Sequence, residues 1–508
     1  MKQTISLIIL LLAPLTVLHA VEVPKSVPAE KSGLPGRVNI VYFIIDDLGY
    51  YESSHMGHPE FRTPNIDRLA TEGTQFTQFL AGGNVCAPTR CTLLTGKHTG
   101  HSTIRKNGGY DPLLAGEETI GSVLKRAGYA TGGFGKWGNG GRGTSGVPEN
   151  HGFDVFFGYY DQVHAHTFFP RYLVRNSVEV PLLGNTGDTK KGQTFSQYRI
   201  FEESKQFIRD NKDRPFFAYL PWTPPHGLWG MPKDDPSLAV YKDKPWKDDA
   251  KIYAAMVNLV DREIGAIRDL LKELGIADRT VIFFTGDNGG QEYFADKEHP
   301  RGLFGPNVNP KTGVQFRGGK GNFYEGGIRV PAIAHWPGHI LAGRVSEHLG
   351  YFPDLLPTFA ELAGAEIPKN LDGISIVPEL LGEQVAGRKQ PQHRYLYWES
   401  GANMAVRMGD WKAVHPGSKE KGWELYDLGK DISETTNVAA QHPDVLDQMK
   451  KFSVEAHQEM PEGEIYDRAL VDKDRNFRDK PDQPKAEKNK TRKKSKANSV
   501  GEGQGDPE

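Results

Sequence analysis

Val38-Asn39-Ile40-Val41-Tyr42-Phe43-Ile44-Ile45-Asp46-Asp47-Leu48-Gly49 decides the fold. A run this apolar, without polar alternation and bounded at eight residues, reads as a strand over 38–45 buried on both faces, the condition of a parallel sheet covered by helices. It stops abruptly at two adjacent carboxylates. Working outward, Thr63-Pro64 opens a helix through Ile66 and Leu69, since proline is tolerated in a first turn. Residues 120–127 read as a helix leading through Gly128 into a strand at 130–134, and 216–220 read as another strand. Tyr253, Met256, Val260, Ile264, Ile267, Leu271 and Leu274 recur at three- and four-residue spacings and mark one long amphipathic helix. Residues 280–285 and 330–335 add strands, and 354–362 a helix. The alternation predicts an α/β fold, a large mixed, mainly parallel sheet sandwiched by helices.

Beyond about residue 382 the pattern changes. Residues 395–399, 404–407, 411–414 and 423–426 read as short strands joined by turns, with a helix over 443–457 to cover them. This predicts a small C-terminal subdomain of antiparallel sheet plus helix. The expected division is a catalytic domain over 37–382, the subdomain over 383–470 and a disordered basic tail over 471–508. Within that tail, residues 485–496 hold seven basic residues and one acidic one, with too little apolar surface to offset their ordering entropy. It reads as a solvated segment, with weak tethering to an anionic polysaccharide as the functional alternative.

At the other end, Met1-Lys2 precedes an apolar run over 5–18 and the small-residue site Leu18-His19-Ala20. A bilayer span needs about 20 residues, so the run reads as a signal peptide over 1–20 rather than a membrane span. That places the mature protein in the periplasm or outside the cell. The chain's 62 basic and 64 acidic residues give a net charge of −2, which supplies no global field for nucleic acid. With 37% hydrophobic and 10% aromatic residues over 508 positions, it is no disordered chain.

Ligands of open α/β sheets bind beyond the carboxyl ends of the strands. Asp46-Asp47 follows the first strand, Lys136 the strand at 130–134, His226 the strand at 216–220, and Asp287-Asn288 the strand at 280–285. If these strands are parallel, the four groups share one rim. Three carboxylates there repel one another unless a cation lies among them, and the oxygen donors of Asp46, Asp47, Asp287 and Asn288 suit Ca²⁺ first and Mg²⁺ second. Taken singly, Asp-Asp reads equally as a helix cap and Asp-Asn-Gly as a turn.

The sharpest local motif is Cys86-Ala87-Pro88-Thr89-Arg90, followed by Leu93-Leu94-Thr95-Gly96. It resembles the signature of formylglycine-dependent (type I) sulfatases, the arylsulfatase family of the alkaline-phosphatase-like superfamily, with Thr89 where serine is common. Further blocks resemble the same family in order: Asn39 to Gly49, Gly135-Lys136-Trp137, Thr223-Pro224-Pro225-His226, Thr285-Gly286-Asp287-Asn288-Gly289, Arg317-Gly318-Gly319-Lys320, and Trp423-Glu424-Leu425-Tyr426. The likeness spans about residues 37 to 460.

The resemblance implies an alkaline-phosphatase-like fold and a sulfuric ester hydrolase acting on sulfate monoesters, here of a sulfated carbohydrate, with galactose or N-acetylgalactosamine as the sugar. It implies that a maturation enzyme oxidises Cys86 to formylglycine, whose hydrate is the nucleophile. It further implies Asp46, Asp47, Asp287 and Asn288 as calcium ligands and Asp287 as acceptor of the nucleophile's proton. Arg90 holds the hydrate, Lys136 and Lys320 clamp sulfate, and His226 with Lys320 protonates the departing oxygen. A disulfide between Cys86 and Cys91 would block that conversion, so Cys91 is expected as a free core thiol. One departure stands out: the family often reads Gly-Lys-Trp-His, whereas Gly138 occupies the fourth position here. His164 and His166 are the candidate substitutes, with substrate contact or packing as their alternatives. His98 and His101 are spaced for one helix face and read as non-ligands. Trp137, Tyr159, Tyr160, Phe168, Phe169, Tyr172, Trp222 and Trp229 are either sugar platforms or ordinary core. Two other functions compete: a phosphatase or phosphodiesterase on the same fold, which needs further histidine ligands for two zinc ions, and a non-catalytic glycan-binding protein.

Overall fold

A computed structural model describes residues 37–418 and 421–476. The expected signal peptide and the basic cluster at 485–496 lie outside the described residues.

Strand β1 (Asn39–Ile45) is buried along its whole length. Its side chains alternate between two cores: Val41, Phe43 and Ile45 point into one, and Ile40, Tyr42 and Ile44 into the other. That alternation is why the sequence shows no polar face. Nine further strands complete the sheet: β2 (Thr74–Leu80), β3 (Ala130–Lys136), β4 (Val155–Tyr159), β5 (Tyr172–Arg175), β6 (Val178–Pro181), β7 (Phe216–Trp222), β8 (Thr280–Gly286), β9 (Ala332–His335) and β10 (Arg344–Tyr351). Their order is β10-β2-β9-β8-β1-β7-β3-β4-β5-β6. The first core takes in the long helix Asp248–Glu273, and the second takes in the helices Ile120–Arg126 and Leu355–Leu362. The long helix starts five residues before its first periodic apolar residue, with Asp248 and Asp249 in the first turn favouring its positive end.

The expected sheet is present, with two refinements. Strand β9 runs antiparallel to β8 and β2. The physical reason lies in residues 287–331, which contain only one four-residue helix (Glu325–Ile328) and no crossover; the chain stays at the carboxyl rim and re-enters the sheet from there. Strands β4 to β6, β2 and β10, and the helix Ser196–Asp210, were not legible as elements. Strands β2, β6 and β10 and the helix carry mixed polar residues because they are partly exposed, whereas β4 and β5 are buried but only five and four residues long.

The four C-terminal strands β11 (Leu396–Ser400), β12 (Asn403–Met408), β13 (Trp411–Pro416) and β14 (Glu424–Asp427) form a separate antiparallel sheet. One face, Tyr397, Val406, Ala413 and Leu425, is covered by Leu446, Met449, Phe452 and Ala456 of the helix Pro443–Ala456. The other, Leu396, Trp398, Ala405 and Val414, docks on Leu80, Phe323, Ile328 and Tyr351 of the main body. A final helix, Arg468–Arg475, corrects the expectation that a solvated tail begins at 471. Val471 and Asp474 are both fully buried. A helix held by one apolar side chain and a few ion pairs and hydrogen bonds to distant segments leaves no trace in composition.

Candidate active site

Strands β3, β7, β1 and β8 are neighbours and all parallel, so the residues that follow them meet at one rim. The ladder continues past the strand ends: Asp46 N donates to Trp222 O and Asp287 N to Ile45 O, both at 3.1 Å. Asp47 adopts φ 60°, a left-handed conformation that aspartate tolerates, and its backbone N donates to Asp287 Oδ1 at 3.0 Å. Cys86 is the first residue of the helix Cys86–Thr95. Pro88 sits third, where its missing N–H would have no intrahelical partner in any case. The positive end of the helix therefore opens at Cys86, whose thiol donates to Asp46 Oδ1 at 3.3 Å.

Cations surround these carboxylates. Lys136 Nζ is 2.7 Å from Asp46 Oδ2, and Arg90 Nη2 is 3.0 Å from Asp287 Oδ2 and 3.6 Å from Asp46 Oδ2. All four side chains are fully buried. Arg90 Nη1 also donates to Lys136 O at 2.9 Å, which fixes the guanidinium plane. Burial pushes Asp46 upward, but the neighbouring cations, Lys136 foremost, outweigh it and hold the carboxyl well below the usual range. Asp287 goes the other way: burial and then the Asp46 charge raise it to about 7 despite Arg90. Burial, reinforced by Asp46, keeps the Cys86 thiol protonated far above its ordinary titration. An unmodified cysteine here is a poor nucleophile.

The ligand atoms of Asp46, Asp47, Cys86 and His226 lie within 4.8 Å of one another. Asn288 Nδ2 donates to Asp47 Oδ1 at 2.8 Å, while its Oδ1 is buried without a hydrogen-bond partner. A lone buried carbonyl oxygen beside Asp46, Asp47 and Asp287 fits a divalent cation, which would satisfy it and relieve the repulsion that raises Asp287.

Lys320 Nζ lies 3.1 Å from Asp47 Oδ2 and 3.1 Å from His226 Nε2. An ammonium can only donate, so His226 accepts at Nε2 and carries its proton on Nδ1. Burial and the Lys320 charge hold that imidazole well below its ordinary titration, in the neutral form. His166 stacks on His226 with ring centroids 4.6 Å apart. His164 faces away, with its ring against Tyr159 and Tyr172, and burial lowers its titration to about 4. Of the two candidate substitutes at Gly138, the fold brings only His166 into the cluster.

The profile of the family described as Sulfatase matches residues 38–365, and that of the N-sulphoglucosamine sulphohydrolase C-terminal region matches 319–460. The chain belongs to the sulfatase family. Human N-acetylgalactosamine-6-sulfatase is 32% identical over 463 residues, covering 86% of this chain and 82% of that one. Human arylsulfatase A is 32% identical over 471 residues, covering 82% and 87%. Among solved structures, Ps i-CgsB in complex with k-i-k-neocarrahexaose aligns with a TM-score of 0.70 at 26% identity, over 87% of this chain and 98% of that one. The alkaline-phosphatase-like fold and sulfuric ester hydrolase activity follow from this membership.

Around the site of this sulfatase, seven of the eight aromatic residues named from the sequence are buried core, Trp137, Tyr159, Tyr160, Phe168, Phe169, Tyr172 and Trp222. Only Trp229 reaches a cleft, one of about 480 Å³ shared with Lys247, Tyr293 and Phe294. Tyr293 also donates its hydroxyl to Asp47 Oδ2, which ties the cleft to the carboxylate cluster. Sequence reading missed Tyr293 because residues 291–313 carry no periodicity. Cys91 is a free, fully buried thiol, as expected. His98 and His101 lie beyond the helix end at Thr95, stacked at 4.2 Å beside Asp372. His98 Nδ1 accepts from Gly100 N at 3.2 Å, so Nε2 carries the proton and faces Asp372 at 3.5 Å.

Proposed function

We propose that this sulfatase is exported and hydrolyses sulfate monoesters of a sulfated carbohydrate, using formylglycine made from Cys86 by a maturation enzyme and one calcium ion. The observation that carries the reading is Cys86 at a helix N-terminus, its thiol against Asp46 and the Lys136 ammonium on that same carboxylate. The Sγ atom stands in for the hydrate oxygens of the modified residue. Such a hydrate supplies one hydroxyl to attack sulfur and a second to expel sulfate afterwards. Asp46, Asp47, Asp287 and Asn288 would hold the ion, which supplies a lowered hydroxyl pKa and a polarised sulfate oxygen.

The chain's own groups divide the remaining work. Asp287, held by the Asp47 backbone N–H and the Arg90 guanidinium, is placed to take the nucleophile's proton. Arg90, fixed through Lys136 O and Asp287, orients the residue at 86 and balances the carboxylates. Lys136 and Lys320 face the anionic ester from a dry pocket where their charges are poorly screened. The Lys320–His226 pair shares a transferable proton at Nε2 and delivers it to the departing sugar oxygen. His166 backs His226 by stacking. The name of the human N-acetylgalactosamine-6-sulfatase and the oligosaccharide complex of Ps i-CgsB support a carbohydrate substrate, with galactose or N-acetylgalactosamine as the sugar.

The test is the mass of tryptic peptide 69–90 from active, natively produced protein. A mass matching formylglycine at position 86 is expected. Unmodified cysteine in protein that still turns over sulfate esters would refute the mechanism.

A further inference from the structure

Gly138 is where this chain lacks the family's frequent histidine, and its surroundings identify what fills the place. Strand β4 lies beside β3, and the pairing continues beyond the strands: Trp137 N donates to Tyr159 O at 2.9 Å and Gly138 N to Tyr160 O at 3.2 Å. Gly138 has φ +73°, and a Cβ built on it would meet Gln162 Oε1 at 2.8 Å and Arg90 Cδ at 3.5 Å. The space a side chain at 138 would enter is thus taken by the Gln162 amide, delivered from the neighbouring strand's exit.

That amide is anomalous. Gln162 is 5% exposed, yet neither Oε1 nor Nε2 has a hydrogen-bond partner. A buried unpaired amide is costly, and native structures retain one where strain, catalysis, or a bound water, ion or ligand accounts for it. Its position is held from outside: Asp161 Oδ1 accepts from Val163 N at 2.8 Å and His164 N at 3.2 Å, and Arg475 reaches Asp161 Oδ2 at 3.2 Å. These contacts fix the turn that carries Gln162, whose Oε1 borders the Gly138 position together with the side chain of Arg90, the residue whose guanidinium lies on Asp46 and Asp287.

We propose that Gln162 is a sulfate-binding residue of this site, its carboxamide filling the space beside Gly138 and its NH2 donating to a sulfate oxygen. This rests on the sulfate-ester reading of the pocket. A carboxamide has no proton to exchange near neutral pH, so its contribution is positioning of the anion, with proton movement left to Asp287 and the Lys320–His226 pair.

The test uses inorganic sulfate binding to the full-length protein, read as the sulfate-dependent rise in melting temperature, together with kcat/KM on a sulfate ester. Q162L keeps the bulk and removes both polar atoms. Losing one hydrogen bond to a charged group predicts sulfate affinity and kcat/KM each lower by about 10- to 100-fold, with the ligand-free melting temperature equal or higher because an unpaired amide has left the interior. A lower melting temperature with unchanged sulfate affinity would overturn the proposal in favour of a packing role. If Q162L does not fold, the isosteric Q162E decides: a carboxylate repels the anion and must weaken sulfate binding at least as much, and wild-type affinity in Q162E would overturn the assignment. Failure of the wild-type protein to bind sulfate or turn over sulfate esters would refute the underlying site reading, whereas normal wild-type behaviour with unaltered variants refutes Gln162 alone.

Discussion

Replacing Asp474 with alanine should release the last helix and loosen the site from behind. Asp474 is fully buried and accepts from Arg142 Nε at 2.8 Å and from the Tyr172 hydroxyl at 2.6 Å. Arg142, 4% exposed, would keep only Glu179 at 2.9 Å, a carboxylate one-third open to solvent. Removing one partner of a buried ion pair costs about 3–5 kcal/mol, and the tyrosine hydrogen bond adds about 1 kcal/mol. Against this, the helix Arg468–Arg475 buries one apolar side chain, Val471, worth about 1.5–3 kcal/mol. The loss is comparable to the hold that remains, which also includes Arg475 on Asp161 at 3.2 Å and the Tyr110 hydroxyl on Asp472 at 3.0 Å, so the helix should release readily while the core stays folded. Hydrogen exchange of D474A should show protection over 468–475 reduced at least about 100-fold with the guanidinium midpoint of the main body little changed. Exchange should also rise over 161–172, because Arg475 braces Asp161 and Tyr172 packs on His164. Unchanged protection over 468–475, or a loss spread evenly over the whole chain, would refute the reasoning. D474N, which keeps hydrogen-bonding capacity without the charge, should fall between the two.

Three other outcomes are open to measurement. Glu263 is fully enclosed, takes one hydrogen bond from Gln197 at 2.7 Å, and is raised by burial to about 8; because the folded state binds this proton more tightly, stability falls as pH rises from about 4.5 to 8. Denaturation of E263Q should lack that component, about 3 kcal/mol by pH 7, and an unchanged slope would refute it. H226A should lower kcat about 10²- to 10⁴-fold on sulfate esters of sugar alcohols but far less on nitrophenyl sulfate, whose leaving group needs no acid; equal losses on both would remove His226 from proton delivery. Calcium at 100 times its dissociation constant should stabilise the protein by about 2.7 kcal/mol, and more strongly at pH 8 than pH 6 because Asp287 must lose its proton to bind; no shift at either pH would argue against the oxygen-ligand set.

The sequence by itself determined the frame. A strand buried on both faces must be apolar throughout, so β1 announces itself, and the groups that chemistry requires follow such strands directly in the chain. Asp46, Asp47, Lys136, His226, Asp287 and Asn288 were therefore legible as one rim before any coordinate was known, and parallel pairing of β3, β7, β1 and β8 brings them together. What spacing does not carry is the direction in which a loop turns. His164 and His166 are two residues apart in a single helical turn, yet one packs into the core and the other stacks on His226. The antiparallel entry of β9, the reach of Tyr293 to Asp47 and the docking of Asp474 on Arg142 all depend on contacts between segments tens to hundreds of residues apart. The same holds for Gln162, an unremarkable residue in the chain. Only the side-by-side exits of β3 and β4 place its unpaired amide in the space that Gly138 leaves beside Arg90.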